Sequence, residues 1–360
     1  MRQELEIVNE LWRKETPFAL YRLPYSQQAV LVVGSSSSLS TYSSVGELPF
    51  SDCFVIAPFS SSSSTPIVTF SPTMEQLFCI STTDHRAREL QKELPFLAVS
   101  AEYRDLFDNY IEAIRSGRVE KLVLARQRNH FPKKTFSPLE AWREACALYP
   151  QAYVYLTSTP ITGLWLGASP EVLLSGQNRH WYTTALAGTQ PLVDGELPAV
   201  WSQKNREEQA YVATYIRECL HSLGIEGRES EPYTVQAASM AHLKTDFFFS
   251  LSQPSILPRL LELLHPTPAV CGFPKKRAME FILEQEKDSR SYYSGFLGRI
   301  NPQGATDIYV NIRCLQSQDP HVTLYAGGGI VASSEVIEEW IETERKMNTM
   351  SRLIASVPSS

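Results

Sequence analysis

Apolar residues recur along this chain in two rhythms, and they do not alternate regularly. Short β-prone runs at 29–33, 54–57 and 67–70 occupy the first hundred residues. Serine tracts at 35–38 and 60–64 separate them and read as solvated turns. A helical stripe of Leu106, Tyr110, Ile111 and Ile114 spans 103–116, and Gly117 stops it. The run KLVLA at 121–125 is β-prone. Ser137-Pro138 then opens a helix carrying Ala141, Trp142, Ala145 and Leu148. Four β runs follow at 152–157, 163–167, 172–175 and 181–187, with turn residues between them as in antiparallel meanders. A long helix fits 204–223, with Val212, Tyr215, Cys219 and Leu223 inward, and shorter helices fit 257–264 and 276–286. Strands are expected again at 292–298, 307–315 and 322–326. A last helix is expected over 334–353, with Val336, Trp340, Thr343, Met347 and Met350 on its inner stripe. This mixed order predicts an α+β fold rather than a doubly wound parallel sheet.

Composition narrows the class. With 33 basic and 39 acidic residues the net charge is −6, which disfavours broad binding to nucleic acid or an anionic membrane. The six cysteines are scattered without a CxxC pair, so reduced thiols are expected rather than a disulfide framework or zinc site. The opening MRQELEIVNELWRKE is charged and helical in pattern. It lacks the apolar core of a secretory signal, and no run reaches the roughly 18 apolar residues of a spanning helix. A cytoplasmic chain is the expectation.

Five features could carry chemistry. Lys121 opens an apolar strand: burial would make it a base, while an end position would let it snorkel to water. Glu171, after the turn Gly167-Ala168-Ser169-Pro170, begins a strand where an apolar residue is ordinary. It is either an exposed strand end or an acid facing a cleft. Glu208 lies four residues before Val212, on the buried stripe, so it needs a cation. A lysine or arginine, or a metal ion, would serve. The last helix holds Glu335, Glu338, Glu339, Glu342 and Glu344. Of these, Glu339 and Glu342 share a face with Lys346, and by spacing alone this is a solvated face with a Glu342–Lys346 pair. Gly327-Gly328-Gly329 falls between a strand and that helix, where backbone N–H groups could approach an anion. Arg313 in the neighbouring run suits a carboxylate.

In order, KLVLAR (121–126), GASPE (167–171), ALAGT (185–189), KNREE (204–208), AHL (241–243), HPTPAVCGFP (265–274), SRSYYSG (289–295), NIRC (311–314), YAGGGIV (325–331) and EEWIETERK (338–346) resemble the chorismate-utilising enzymes. The likeness covers 118–355 and is loose over 1–100. It implies a single chorismate-binding domain over 1–360, with two packed antiparallel sheets, helices outside, and the site in a cleft between the halves. It departs from the family pattern at Gln190-Pro191 after AGT, in AGGGI for AGAGI, and at Cys271. None of these removes a functional group.

Within the family, a lysine at position 121 marks the enzymes that activate water. The ammonia-using anthranilate and aminodeoxychorismate synthases lack it. The sequence also lacks an LLES-like feedback motif. The resemblance therefore points to isochorismate synthase, for menaquinone or siderophore synthesis, with salicylate synthase as the alternative and no glutaminase subunit. It implies Lys121 as general base and Glu171 as general acid. Glu208 and Glu342 would hold Mg²⁺, with Glu339 behind them. Gly188, Thr189 and His242 would line the cleft, and Tyr293, Arg313, Gly327 and Lys346 would grip the enolpyruvyl carboxylate.

Overall fold

The computed structural model describes residues 4–80, 98–132, 136–192, 195–237, 240–251, 253–318 and 320–355. Two large antiparallel sheets pack face to face. The first runs, in spatial order, Gly272–Phe273, Lys121–His130, His321–Ile330, Cys314–Gln318, Gly163–Ser169, Tyr153–Thr159, Phe18–Arg22, Gln28–Val33 and Met74–Cys79. The second runs Gly227–Glu229, Met240–Ser250, His180–Pro191, Val172–Gln177, Ala305–Val310, Phe296–Ile300, Cys53–Ala57, Ile67–Phe70 and Leu39–Tyr42, and Tyr233–Ala237 also pairs with Met240–Ser250. Strands from the divergent first hundred residues thus extend both sheets.

Aromatic residues fill the space between the sheets, among them Tyr21, Phe54, Tyr153, Tyr155, Trp165 and Tyr309. Tyr153 of the first sheet stacks on Tyr309 of the second with ring centroids 4.3 Å apart. Such a pair adds to the area it buries. Helices Pro138–Leu148 and Val336–Ala355 cover the outer face of the first sheet through Trp142, Met347 and Met350. Helices Gln203–Ser222 and Leu257–Leu264 cover the second through Val212, Ile216 and Leu260. Ala101–Arg115 and Lys275–Gln285 pack around Leu122 and Leu124. Among the described residues, no helix is long and apolar enough to cross a membrane.

Three expectations need correction. The run 307–315 is not one strand: Ala305–Val310 belongs to the second sheet and Cys314–Gln318 to the first. The chain changes sheet at 311–313, where Arg313 adopts φ 51°. Residues 292–295 are a turn, with the strand beginning at Phe296; Ser291 (φ 51°) and Ser294 (φ 62°) bend it away from β geometry. The glycine run does not leave its sheet. It continues the His321–Ile330 strand, with Gly327, Gly328 and Gly329 opposite Ala125, Leu124 and Val123. The eleven-residue strand Met240–Ser250 had no sequence counterpart, because Lys244 and Asp246 interrupt its apolar pattern.

Candidate active site

The site lies where the chain twice crosses between the sheets. The first crossing takes two residues, Pro170 and Glu171, between Gly163–Ser169 and Val172–Gln177. The second is 311–313. They are hydrogen-bonded to each other: Ala168 N donates to Arg313 O (3.0 Å), Val310 N to Glu171 O (3.0 Å), and Ser169 Oγ to Val310 O (2.6 Å). Glu171 and Arg313 are thereby fixed side by side by backbone, not by long flexible elements.

A cavity of about 50 Å³ sits at this seam. Its walls include Glu171, Gly188, Thr189, Glu208, His242, Tyr293, Arg313, Gly327 and Lys346. Nine of the twelve residues singled out in the sequence therefore meet around one space. Of the other three, Lys121 pairs with Glu208 and Glu342 with Lys346 of the wall, while Glu339 pairs with Lys204.

Glu171 is 2% exposed. Burial pushes its carboxyl pKa up to about 8, against the pull of Lys121, a hydrogen bond from Thr267 and more distant cations. It is therefore protonated at neutral pH, the state in which it can give a proton. Thr267 Oγ1 donates to Glu171 Oε1 at 3.4 Å. Thr267 lies within HPTPAVCGFP, and nothing in local sequence marks it as facing Glu171.

Lys121 is fully buried and does not snorkel. Its Nζ lies 3.1 Å from Glu208 Oε1. The cation required by buried Glu208 is thus, in this structure, a lysine. Burial raises the Glu208 pKa, but Lys121, Lys204 and Lys346 outweigh it and the net shift is downward. Space for this pair depends on Gly329, where a Cβ would fall 2.1 Å from Glu208 Oε1 and 3.1 Å from Lys121 Cε. The glycine run thus makes room for side chains rather than presenting a turn to an anion.

The expected solvated face of the last helix is instead turned inward at Glu339, which is 0% exposed. Glu342 pairs with Lys346 at 2.7 Å, as the spacing predicts, and Lys346 Nζ also donates to Gly327 O at 2.8 Å. Glu339 pairs with Lys204, a residue that sequence reasoning passed over inside KNREE. Its signal was available: Lys204 lies one helical turn before Glu208, on the same face. Burial, then the charge of Glu342, raises the Glu339 pKa, with Lys204 opposing. Among the described residues, no three His, Cys, Asp or Glu side chains are gathered closely enough to hold a metal ion.

On the far wall, Arg313 Nη2 donates to His242 Nε2 at 3.1 Å, so Nδ1 carries the ring proton and faces Gly188 O at 3.1 Å. Burial, then Arg313 and Lys346, drive the His242 pKa well down and keep the ring neutral. Gly188 stands at a bulge with φ 71°, a conformation glycine adopts without strain. Arg313 Nη1 is buried with no hydrogen-bond partner. A buried guanidinium with spare donors is a ready seat for a carboxylate.

Comparison with known proteins shows the family. Residues 67–355 match the family model described as chorismate binding enzyme. The isochorismate synthase EntC of Escherichia coli K12 is 32% identical over 241 residues, 65% of this chain and 62% of EntC. The matched region thus spans about three fifths of that relative. Anthranilate synthase component 1 of Streptomyces coelicolor is 31% identical over 257 residues, 66% of this chain and 48% of that protein. Relatives of both names thus match at nearly the same identity. The DhbC structure from Bacillus anthracis superimposes with a TM-score of 0.78 at 24% identity, covering 96% of this chain and 98% of that one, and shares its fold.

Proposed function

The chain belongs to the chorismate-binding enzyme family, and from that premise we propose that it is an isochorismate synthase. Water adds at ring C2 of chorismate, the C4 hydroxyl leaves as water, and the ring double bonds shift between them. The observation that carries the reading is a buried lysine within electrostatic reach of a buried, protonated acid. Lys121 is the charged group acting most strongly on Glu171. A lysine is the group an enzyme needs when its nucleophile is water, which must lose a proton as it attacks.

Lys121 takes that proton once its own has passed to solvent. Glu171 gives its own to the departing C4 hydroxyl. The proton gained by Lys121 and that lost by Glu171 cancel, so the cycle closes by transfer through solvent. Glu208, 3.1 Å from Lys121 Nζ, is the carboxylate placed to share the lysine's proton between turnovers. Arg313 and Lys346 hold the enolpyruvyl carboxylate beside Tyr293 and Gly327. Thr189, Gly188 and neutral His242 complete the cleft around the ring.

A Mg²⁺ ion fits this site chemically. Glu208 and Glu342 offer the hard carboxylate oxygens it prefers. Glu339 Oε2 is buried with no partner, and a Cβ at Gly328 would lie 3.1 Å from it and 3.9 Å from Glu342 Oε1. Glu208 and Glu342 would hold the ion, with Glu339 as an outer partner. When bound, it supplies positive charge to the ring carboxylate of a dianionic substrate.

The test is chromatography of the products formed from chorismate and Mg²⁺. Isochorismate released as the product is expected. Salicylate with pyruvate would move the chain to the pyruvate-eliminating branch, and an amino product made with ammonium would overturn the water-using reading.

A further inference from the structure

Lys204 has no part in the chemistry just described, yet it is tied into its charges. It lies in the first turns of Gln203–Ser222, a helix whose start is fixed by Ser202, which accepts a hydrogen bond from Asn205 N at 3.2 Å. One turn later the same helix presents Glu208. Lys204 Nζ reaches across to the Val336–Ala355 helix and donates to Glu339 Oε1. Glu339 is fully buried and its other oxygen, Oε2, has no partner. That free oxygen and Glu342 Oε1 both border the space above Gly328. Three acids, Glu208, Glu339 and Glu342, all act electrostatically on Lys204.

The charges balance in pairs. Glu208 is held by Lys121, Glu339 by Lys204 and Glu342 by Lys346. Two of these lysines have tasks toward substrate in the proposed mechanism. The third has none, and its ammonium sits where added positive charge would be felt by any cation shared among the acids. A fixed charge at a few ångströms in a poorly solvated site is a large term.

We infer that Lys204 is a positioning residue that acts as a resident counter-cation: it holds Glu339 in place and keeps the affinity of Glu208 and Glu342 for a divalent ion low. The ion then enters against a standing competitor and leaves readily, which suits a site that must exchange substrate and product every turnover. This inference rests on the metal reading given above.

The experiment uses Mn²⁺, whose EPR signal reports binding directly, titrated into the full chain without chorismate. Lys204→Gln keeps a hydrogen bond to Glu339 while removing the charge. It should bind Mn²⁺ roughly tenfold more tightly than the parent, a change of about 1.4 kcal/mol. Its melting temperature should fall without metal and recover more on adding Mn²⁺ than the parent's does. A Lys204→Gln/Glu339→Gln double variant should lose the gain. Lys204→Arg, which keeps the charge, should bind Mn²⁺ no more tightly than the parent, and tighter binding there would overturn the inference even if Lys204→Gln fails to fold. Equal or weaker binding by folded Lys204→Gln, with Glu208→Gln and Glu342→Gln binding poorly, would sink the Lys204 inference and leave the metal reading standing. Parental Mn²⁺ binding by Glu208→Gln and Glu342→Gln would remove both.

Discussion

The two walls of the site are built on different physical terms. At the seam between the sheets, Glu171 and Arg313 are held by backbone at strand crossings. Both are left with unspent capacity there: a proton on Glu171 and an unpaired Nη1 on Arg313. On the helix side, Glu208, Glu339 and Glu342 reach in from helix faces, and each is matched to a lysine. The seam presents a carboxyl proton and a guanidinium donor to whatever enters the cleft. The helix side is already paired, so anything that binds there has to displace or share an existing partner. Buried charge is costly unless compensated, so a protein either pairs such a group or neutralises it, and this site does both on opposite walls.

That contrast can be broken most sharply on the helix side. Glu208→Gln or Glu342→Gln should abolish Mg²⁺-dependent turnover in a folded protein, and EDTA should do the same to the parent. Full activity in metal-free buffer would show that the lysines alone neutralise these acids. Next in size, Lys121→Ala should lower turnover by roughly 10²–10⁴, the range for a lost general base. Chorismate affinity should change little, and retention of near-parental rates would place water activation elsewhere.

On the seam, Arg313→Ala should act mainly on binding. Losing the partner of a buried carboxylate costs about 2–5 kcal/mol, so kcat/KM should fall chiefly through KM. Unchanged kcat/KM would make the guanidinium a prop for His242 alone. The smallest effect belongs to Thr267→Val, and it is best read in the pH profile. A general acid works protonated, so parental kcat should fall as pH rises through about 8, the Glu171 value. The Thr267 hydrogen bond lowers that pKa, so its removal should shift the alkaline limb to higher pH with only a few-fold loss of rate. Stability follows the same sign. A raised folded pKa gives stability that is full below the ordinary 4.5 and is lost as pH rises through about 8. Glu171→Gln should erase that loss between pH 4.5 and about 8.

Much of the fold was legible because its signals are local. The helical stripes at 103–116 and 204–223 and the β runs around 121, 153, 163 and 172 each declare their own period. The stripe also declared Glu208 buried, since i and i+4 share a face whatever lies opposite. Signals failed where the answer depends on distant chain. One continuous β-prone run, 307–315, gave no sign that its halves belong to different sheets. The glycine run looked like a turn because glycine reports a need for space without saying what fills it.

Sequence by itself therefore determined the main helical stripes, the inward position of Glu208, the Glu342–Lys346 spacing and the order of family motifs across 118–355. It left Lys121 and Glu171 open between a strand end and a cleft, and read the Glu339 face as solvated. Only the tertiary structure decided the partners: Lys121 with Glu208, Lys204 with Glu339, Thr267 with Glu171, and Arg313 with His242. The physical reason is that periodicity is set by the backbone within a few residues, whereas a buried charge is satisfied by whichever element the packing of two sheets brings opposite it.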